Sequence, residues 1–272
     1  MKLPVGLVAF FIFIYSSFAS ERLILAVLSS GNPVEEYKRF KALSSYLSEK
    51  LGREIQLKIF GKYKDLLQFY EENTVDISIS CPVVYYKIQE KHNVIPAAVI
   101  KIKGHVMEAG VIVVRKDSNI HSVQDIKGKK LTLGSSICAS NCIMPLYILS
   151  KNGIKYTDIP DMWSSGSDKA AILSVISGLA DAAGVKEESA EKFLNKGIKI
   201  IAKSPYVPRY VVAIHGDLPK NLQKKIMEIL YSLRDKKTLN RLGIDGFEKP
   251  DKDMFRIIKD YNDILSQYPL LQ

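Results

Sequence analysis

The sequence has few cysteines, tryptophans and histidines, and each shortage excludes a class of protein. Its 272 residues include three cysteines, one tryptophan and four histidines. So few cysteines in a chain of this length exclude a small scaffold held together by many disulfides. The histidines are dispersed, with no pair four residues apart, so we expect no histidine metal site. Low-complexity segments and short-period repeats are lacking as well, which excludes a disordered tail and a collagen-like chain.

Recognisable catalytic patterns are also lacking. The sequence contains no serine–histidine–acid arrangement, no phosphate-binding glycine loop and no Cys-x-x-Cys motif. Paired carboxylates in a recognisable catalytic context are missing too. We therefore identify no catalytic residues, and we expect neither a cofactor nor a resident metal.

The positive charge is spread along the chain rather than concentrated in one segment. The formal net charge is +10, which favours anionic partners. However, pairs such as Lys129-Lys130 and Lys224-Lys225 are scattered, and acidic residues alternate with basic ones. A nucleic-acid-binding protein usually concentrates its basic residues on one element. We therefore expect no nucleic-acid partner.

The N-terminal residues have the pattern of a secretory signal peptide. Met1 and Lys2 give a positive start, residues 5–15 are apolar, and the small residues Ser17 and Ala19 precede the expected cleavage site. The apolar run is shorter than the ~20 residues that a membrane-spanning helix needs. No later segment is long and apolar enough to span a bilayer. We expect cleavage after Ala19, with residues 1–19 removed, and an exported, periplasmic protein.

Export gives the three cysteines, Cys81, Cys138 and Cys142, a particular meaning. An odd number in an oxidising compartment leaves a free thiol, an intermolecular bond or a metal ligand. Buried cysteines are often simple core residues, and Cys138 and Cys142 are close enough in sequence for a strained local disulfide. A low-pKa cysteine at a helix start can also be a nucleophile, so a periplasmic thiol-dependent enzyme or redox protein is the alternative function.

Apolar spacing predicts alternating strands and helices. Residues 23–28 form an apolar run typical of a buried strand, and a helix follows from Pro33 to Gly52. A strand over residues 76–80 leads to a helix that begins at Pro82. Later helices are predicted over residues 140–152, 168–177 (capped by Ser167), 219–235 and 251–265. This alternation is typical of an α/β fold with mixed, mostly parallel sheets.

Five segments, in order along the chain, resemble periplasmic phosphonate-type substrate-binding proteins. The most specific is residues 111–133, where a valine-rich strand is followed by Arg-Lys-Asp-Ser, an Asp-Ile-Lys-Gly-Lys turn and a short strand. Another is residues 204–226, with a Ser-Pro-x-x-Pro strand and a Leu-Pro helix start. The other three are residues 43–60, 76–86 and 166–185. Together the five cover most of the mature chain.

The resemblance implies a two-lobed, clamshell-like fold of the type II periplasmic-binding-protein class. One lobe would comprise residues 20–107 and 206–272, and the other would comprise residues 108–205. Two chain crossings between the lobes would form a hinge, about which the lobes close on a ligand. We expect the mature protein to be a monomer.

The resemblance also implies a function. Such proteins are not enzymes: they deliver a small-molecule or inorganic solute to an ABC permease, and some relatives signal instead to the periplasmic domain of a sensor kinase. In open α/β sheets, ligands bind at the carboxyl ends of strands, near helix starts. Three strand-to-helix junctions and the tyrosines beside them are therefore expected to line the cleft. The candidate ligand-binding residues are Tyr63, Cys81, Tyr85, Tyr86, Cys138, Ser140, Asn141, Cys142, Ser167 and Asp168.

These junctions depart from the family pattern. Where the family has Ser-Ser-Thr-Ser-Gly, residues 137–141 are Ile-Cys-Ala-Ser-Asn, and the family's Ser-His-Asp becomes Ser-Asp-Lys at residues 167–169. Cys81 replaces a glycine that precedes a proline. An oxyanion would lose several hydrogen-bond donors and would face the like charge of Asp168. We therefore expect phosphate and phosphonate to bind weakly or not at all.

A thiophilic solute suits this chain better, because all three cysteines fall at junctions expected to face the cleft. Arsenous acid is neutral at pH 7 and prefers thiol ligands, and three thiols would complete its trigonal coordination. Arsenite-sensing proteins are known among the relatives, so the resemblance favours the same solute. A soft cation such as Cu(I) would also suit thiolates. The alternative is that one or two cysteines belong to the core and the ligand is a small organic anion.

Overall fold

The computed structural model describes residues 22–29, 33–72, 75–258 and 261–268. The expected signal peptide and its cleavage site lie outside the described residues. Among the helices that are described, none is both long enough and apolar enough to cross a membrane.

Strands and helices alternate through the described residues, as the apolar spacing predicts. The strands are β1 (Leu23–Leu28), β2 (Ile55–Phe60), β3 (Ile77–Ser80), β4 (Val94–Lys101), β5 (Met107–Arg115), β6 (Lys130–Leu133), β7 (Asp161–Ser164), β8 (Ala182–Lys186), β9 (Ile198–Pro208), β10 (Val211–His215) and β11 (Gly246–Glu248). The α-helices are α1 (Pro33–Leu51), α2 (Tyr63–Glu72), α3 (Pro82–Lys91), α4 (Met144–Lys151), α5 (Asp168–Ile176), α6 (Glu187–Glu191), α7 (Lys220–Ser232), α8 (Lys236–Leu242) and α9 (Tyr261–Gln267).

Local sequence explains several of these boundaries. Gly52 follows α1 with a φ of 68°, a left-handed conformation that glycine adopts readily and that ends helices. Pro82 occupies the first position of α3, where its missing N–H costs nothing. Ser167 caps α5, because its side chain accepts a hydrogen bond from the Ala170 backbone N–H at 3.2 Å. The predicted starts of both helices are thus confirmed.

Other boundaries differ from those predicted. The sequence pattern does not predict β7, α8 or β11, which are too short to show a clear period. The helix predicted over residues 140–152 begins as one π-helical turn, Ala139–Ile143, before it continues as α4. The helix predicted over residues 251–265 is divided into a 3₁₀ segment, Asp253–Ile258, and α9.

The strands form two mixed sheets, which confirms the α/β fold. The six-stranded sheet has the order β11-β4-β10-β3-β1-β2, and the five-stranded sheet has the order β7-β6-β8-β5-β9. Pairing is parallel within β3-β1-β2 and within β7-β6-β8. The remaining pairs are antiparallel, so the expectation of mostly parallel sheets is corrected. The reason is that the strands beside the chain crossings, β4, β5, β9 and β10, run against their neighbours.

The chain passes between the two sheets at the β4–β5 and β9–β10 connections. The chain passes between the sheets a third time at the C-terminal segment. This segment leaves the six-stranded sheet after β11 and packs on α4 and β9. Tyr268 in this segment is fully buried, and its hydroxyl donates a hydrogen bond to the Ile154 carbonyl at 2.8 Å. The C-terminal residues, which we expected to belong to the first lobe, therefore contact the second sheet.

Buried apolar side chains continue from one sheet to the other. A single core cluster contains Val84 and Tyr85 from α3 together with Leu131 from β6 and Leu146 from α4. A second cluster packs α1 against the six-stranded sheet. The continuous cluster places the carboxyl ends of β3 and β6 next to each other, and the candidate site lies where these ends meet.

Candidate functional site

Two helix starts from different sheets meet at the candidate site. Cys81 follows β3 and is the residue before α3, while Cys138 precedes the π-helical turn that follows β6. Both cysteines have extended backbone conformations, with φ values of −67° and −66°. Each therefore stands at the N-cap position of its helix, where backbone N–H groups lack intrahelical partners.

Cys81 and Cys138, hereafter the thiol pair, lie close enough for each side chain to shift the pKa of the other. Interaction with Cys138 raises the pKa of Cys81, and interaction with Cys81 lowers that of Cys138. Burial raises the pKa of Cys81 further, because a thiolate is poorly solvated in the core. The exposed fraction is 3% for Cys81 and 9% for Cys138. Cys138 is thus the partner that carries the negative charge when the pair loses one proton.

Cys142 does not join the thiol pair. It lies one turn further along the chain, is fully buried, and its pKa is raised by burial and by the nearby Cys138. Among the described residues, no group of three or more histidines, cysteines and acidic residues is arranged to hold a metal ion. The three-thiol site expected from sequence is therefore not found among the described residues: Cys142 acts on Cys138 by charge alone, while Cys81 and Cys138 interact directly.

Charged residues lie close to Cys138. Lys186, at the end of β8, is 3.7 Å from Glu108, and its ammonium lies 5.4 Å from the centre of the Tyr210 ring. Burial by itself would lower the pKa of Lys186, but Glu108, Tyr210, Asp168 and Cys138 raise it well above its usual range. Lys186 is therefore cationic, and its charge helps to lower the pKa of Cys138.

Glu108 is the centre of a buried charge network. Its carboxylate accepts a hydrogen bond from the Ser140 hydroxyl at 2.6 Å and pairs with Arg209 at 3.1 Å. Arg209 also pairs with Glu188 at 3.3 Å. The side chains of Glu108 and Arg209 are 10% and 9% exposed, so both charges depend on these partners for their burial. The candidate residue Ser140 is therefore bound to protein rather than open to an anion.

Asp168 belongs to a second polar network. One of its oxygens accepts a hydrogen bond from the Asn141 amide at 2.7 Å, and the other accepts one from Ser189 at 2.7 Å. Asn141 in turn accepts from the Ser135 hydroxyl, which accepts from the Cys138 backbone N–H. Both carboxylate oxygens thus have donors within the protein. The network holds the start of α5 against the turn that carries Cys138.

Gly134 allows this network to form. A Cβ atom on Gly134 would lie 2.2 Å from the Asp168 carboxylate and 3.0 Å from the Asn141 amide nitrogen. A larger residue would push the Asp168 carboxylate away from its hydrogen-bond partners, so this position favours glycine for close approach rather than for an unusual φ.

The three candidate tyrosines lie on α2 and α3 at different depths. Tyr85 is buried, with its ring 5.6 Å from that of Phe255, and burial raises its pKa. Tyr63 and Tyr86 are partly buried and pack against the cluster that contains the thiol pair. Tyr85 is thus a core residue that fixes the C-terminal segment, whereas Tyr63 and Tyr86 keep part of their surface in solvent.

The part of the interface beside the chain crossings is charged, and it adjoins the neighbourhood of Cys138 through Glu108. A cavity of about 510 Å³ lies beside the chain crossings, and its lining includes Lys103, Glu108, Glu188 and Arg209. Lys103 pairs with Glu188 at 2.9 Å, which links the loop after β4 to α6. We call this network of four residues the charged end.

Sequence reasoning missed the charged residues nearest the thiol pair. Lys186 stands at the carboxyl end of a strand, a position that favours ligand sites, and this signal could have identified it. Glu108 interrupts an otherwise apolar strand, which is a second usable signal. Arg209 and Tyr210 carry no such signal, because they follow a strand end at a chain crossing.

Comparison with known proteins identifies the family. A profile of ABC transporter, phosphonate, periplasmic substrate-binding proteins matches residues 25–255, which is most of the chain. The chain belongs to this family. The family accounts for the two-sheet fold, and it implies a periplasmic location, a small-molecule solute and an ABC permease as partner.

Solved structures agree in fold. PhnD1 from Prochlorococcus marinus, in complex with methylphosphonate, is 20% identical with a TM-score of 0.78, and the match covers 91% of this chain and 99% of that one. A binding protein component of an ABC phosphonate transporter from Pseudomonas aeruginosa is 17% identical with a TM-score of 0.74. That match covers 92% of this chain and 89% of the other.

A more distant relative binds a different anion. The periplasmic aliphatic sulphonate binding protein SsuA from Escherichia coli is 14% identical with a TM-score of 0.62, and the match covers 92% of this chain and 94% of SsuA. At these identities the likeness establishes the fold and leaves the ligand to the residues of this chain.

Proposed function

We propose that this family member is a carrier, not an enzyme, that captures a small thiophilic solute between its two sheets, with arsenous acid as the leading candidate. The observation that carries the proposal is the thiol pair: Cys81 and Cys138 meet where two helix starts face each other. The division into lobes 20–107 with 206–272 and 108–205, closing as a clamshell, is part of this proposal.

The chemistry at the junction favours sulfur coordination over oxyanion binding. The family's run of hydroxyl residues is represented here by Ser140 alone, and Ser140 donates to Glu108. Lys186, the cation nearest the thiol pair, is engaged by Glu108 and Tyr210. A phosphonate would therefore have to compete with Glu108 for the Ser140 hydroxyl and for the charge of Lys186.

Arsenous acid needs no such donors, because it is neutral at pH 7. Two thiols react with one molecule of it to form two S–As bonds, and two As–OH groups leave as water with the thiol protons. One hydroxyl remains on the arsenic. A pair of thiols thus replaces the three-thiolate site expected from sequence.

The test is solute binding by the reduced mature protein. Arsenite should raise the melting temperature of the wild-type protein, since a ligand that binds only the folded state stabilises it. Cys81→Ser and Cys138→Ser should each abolish the shift. Cys142→Ala is the matched control, because Cys142 is buried outside the pair, and it should retain the shift.

Methylphosphonate and phosphate complete the experiment. We expect neither to give a shift, and calorimetry should detect no tight binding. Submicromolar methylphosphonate binding that survives Cys81→Ser and Cys138→Ser would overturn the proposal and restore phosphonate as the solute. Turnover of a thiol-reactive substrate would instead favour the thiol enzyme.

We propose an ABC permease as the partner, as the family implies, and keep a sensor kinase as the second candidate. Coexpression with each, followed by transport and phosphorylation assays in the presence of arsenite, separates the two. The monomeric state is a further part of the proposal. Size-exclusion chromatography with light scattering, with and without arsenite, should give the mass of one mature chain.

A further inference from the structure

We infer that Glu108 keeps anionic solutes out of the interface between the sheets, because its own carboxylate occupies an oxyanion site formed by Ser140, Lys186 and Arg209. The Glu108 side chain is 10% exposed, and both of its oxygens have a donor. As an account of solute selection, the inference rests on the proposed function. The oxyanion site itself does not depend on which solute the protein carries.

The three groups around the Glu108 carboxylate come from three separate parts of the chain. The Ser140 hydroxyl, in the π-helical turn after β6, donates to Oε1 at 2.6 Å. The ammonium of Lys186, at the end of β8, lies 3.7 Å from the same oxygen. Arg209, between β9 and β10, donates from Nη1 to Oε2 at 3.1 Å. A hydroxyl, an ammonium and a guanidinium directed at one carboxylate are groups with which proteins bind small oxyanions.

Ser140 and Lys186 are held in place by contacts that do not involve this carboxylate. The Ser140 carbonyl oxygen lies so close to β5 that a Cβ atom on Gly110 would be 2.2 Å from it. The Lys186 ammonium lies 5.4 Å from the centre of the Tyr210 ring, which is a cation–π contact. Shortening the Glu108 side chain should therefore leave both groups near their present positions.

Arg209 has independent anchors as well. Its guanidinium pairs with Glu188 at 3.3 Å, and its backbone N–H donates to the Val106 carbonyl at 2.9 Å. Because its side chain is 9% exposed, removal of Glu108 would leave a nearly buried cation with Glu188 as its remaining partner. The one ion pair that Lys186 makes within the described residues would be lost too. The site would then carry an excess of positive charge, which an anion from solution could neutralise.

Small anions can reach this position. Glu108 and Arg209 both line the cavity of about 510 Å³ beside the chain crossings. Replacing Glu108 with alanine removes a carboxymethyl group, which has the same heavy atoms as acetate. Acetate is therefore the probe that fits the vacated space most closely, and phosphate and methylphosphonate present similar oxygens on a larger group.

The experiment compares the melting temperature of Glu108→Ala in acetate and in chloride at equal ionic strength. Acetate should raise the melting temperature of this variant and leave that of the wild-type protein unchanged, since a ligand that binds only the folded state stabilises it. Calorimetry should show that the variant binds acetate about tenfold or more tighter than the wild-type protein does. Phosphate and methylphosphonate should bind to the variant as well. Adding Ser140→Ala to Glu108→Ala should weaken acetate binding severalfold, which locates the anion among the three groups.

Glu108→Gln and Glu187→Ala are the matched controls. Glu108→Gln removes the charge but keeps the volume of the side chain, so it leaves no space for acetate. Glu187→Ala removes a carboxylate from the lining of the same cavity, but Glu187 pairs with Lys203 at 2.6 Å rather than with the groups of the oxyanion site. Acetate should stabilise neither control.

Equal stabilisation of Glu108→Ala and Glu187→Ala by acetate would overturn the inference, because acetate would then only neutralise charge in the cavity. A Glu108→Ala protein that is equally destabilised in acetate, phosphate and chloride would overturn it too, since Glu108 would then be a structural ion-pair partner alone. If Glu108→Ala is unfolded in chloride, acetate or phosphate must restore folding, and failure of both anions counts against the inference.

These measurements use no arsenite, so they are separate from the test of the proposed solute. Failure of the wild-type protein to bind arsenite, with acetate bound by Glu108→Ala, would refute the proposed solute and leave the oxyanion site in place. Arsenite binding by the wild-type protein, with no response of Glu108→Ala to anions, would refute the role of Glu108 alone.

Discussion

Two adjoining regions of the interface between the sheets are built from different chemistry. The thiol pair consists of two nearly buried cysteines that shift each other's pKa. At the charged end, Arg209 links Glu108 and Glu188, and Lys103 adds a further ion pair. Neutral thiols can exchange a weak contact for a solute, whereas buried ion pairs are costly to break on one side.

The difference indicates how the molecule works. The chain crosses between the sheets beside the charged end, so its ion pairs stabilise the crossings. We therefore expect substitutions at the charged end to change stability most and substitutions near the thiol pair to change reactivity. The predictions below test that contrast.

The largest effect is expected for Arg209→Met. The substitution leaves the Glu108 carboxylate, which is 10% exposed, without its closest cation. Removing one partner of a buried ion pair costs about 3–5 kcal/mol. The free energy of unfolding, measured with urea, should fall by about 3 kcal/mol or more. Lys103→Met is the control, because Lys103 is 63% exposed and should matter far less. If both variants lost the same free energy of unfolding, the buried ion pair would not be more stabilising than the exposed one.

Tyr268→Phe tests the third passage between the sheets. The substitution removes the hydrogen bond to the buried Ile154 carbonyl and keeps the ring. We expect a loss of about 1 kcal/mol in the free energy of unfolding. Tyr156→Phe is the matched control, since its ring lies 6.4 Å from that of Tyr268 and the substitution leaves the Tyr268 hydrogen bond in place. If the free energy of unfolding fell only in the Tyr156 variant, the result would contradict a stabilising role for the C-terminal segment.

Lys186→Met tests the electrostatics of the thiol pair. Hydrogen bonding from Cys81 and the charge of Lys186 both lower the pKa of Cys138, so removing the charge should raise that pKa. Iodoacetamide should then modify Cys138 several-fold more slowly near neutral pH, because the thiolate is the nucleophile. Lys192→Met, which changes the exposed C-cap residue of α6, should leave the rate unchanged. An unchanged rate in Lys186→Met would show that the hydrogen bond alone sets the reactivity of Cys138.

The smallest effect is a pH dependence at the charged end. Burial opposes ionisation of Glu188, but Lys103 and Arg209 outweigh it and hold its pKa below the ordinary 4.5. A carboxylate with a lowered pKa contributes stability above its unfolded pKa, and this contribution is lost as the pH falls through the folded value. Glu188→Gln should therefore be less stable than wild type near pH 7, and the difference should shrink as the pH falls below the ordinary 4.5. A difference that persists in acid would mean that packing, not charge, is involved.

Much of the fold follows from short stretches of sequence. Pro82 and Ser167 mark helix starts at the predicted residues, because proline acts through its fixed φ and serine through its hydroxyl, and neither needs a distant partner. Mixed pairing is harder to predict, since β9 and β10 are adjacent in sequence but belong to different sheets. The pattern of one strand does not specify which sheet it will join.

The candidate site was predictable only in part for the same reason. Cys81, Cys138 and Asp168 were identified because strand-to-helix junctions are visible in sequence. Their partners were not: Glu108 and Arg209 are 101 residues apart, and Asp168 and Asn141 are 27 apart. Side-chain direction was also hidden, so Cys142 was grouped with the pair although it faces the core.

The sequence by itself determined the family, the alternation of strands and helices, and the junctions at which cysteines replace hydroxyl residues and glycine. These properties depend on local patterns, which are read along the chain. Only the tertiary structure decided that Cys81 meets Cys138, that Cys142 is excluded, and that Asp168 and Ser140 are held by protein partners. Those contacts depend on how two sheets pack against each other, and packing brings together residues whose separation in sequence carries no signal of their distance in space.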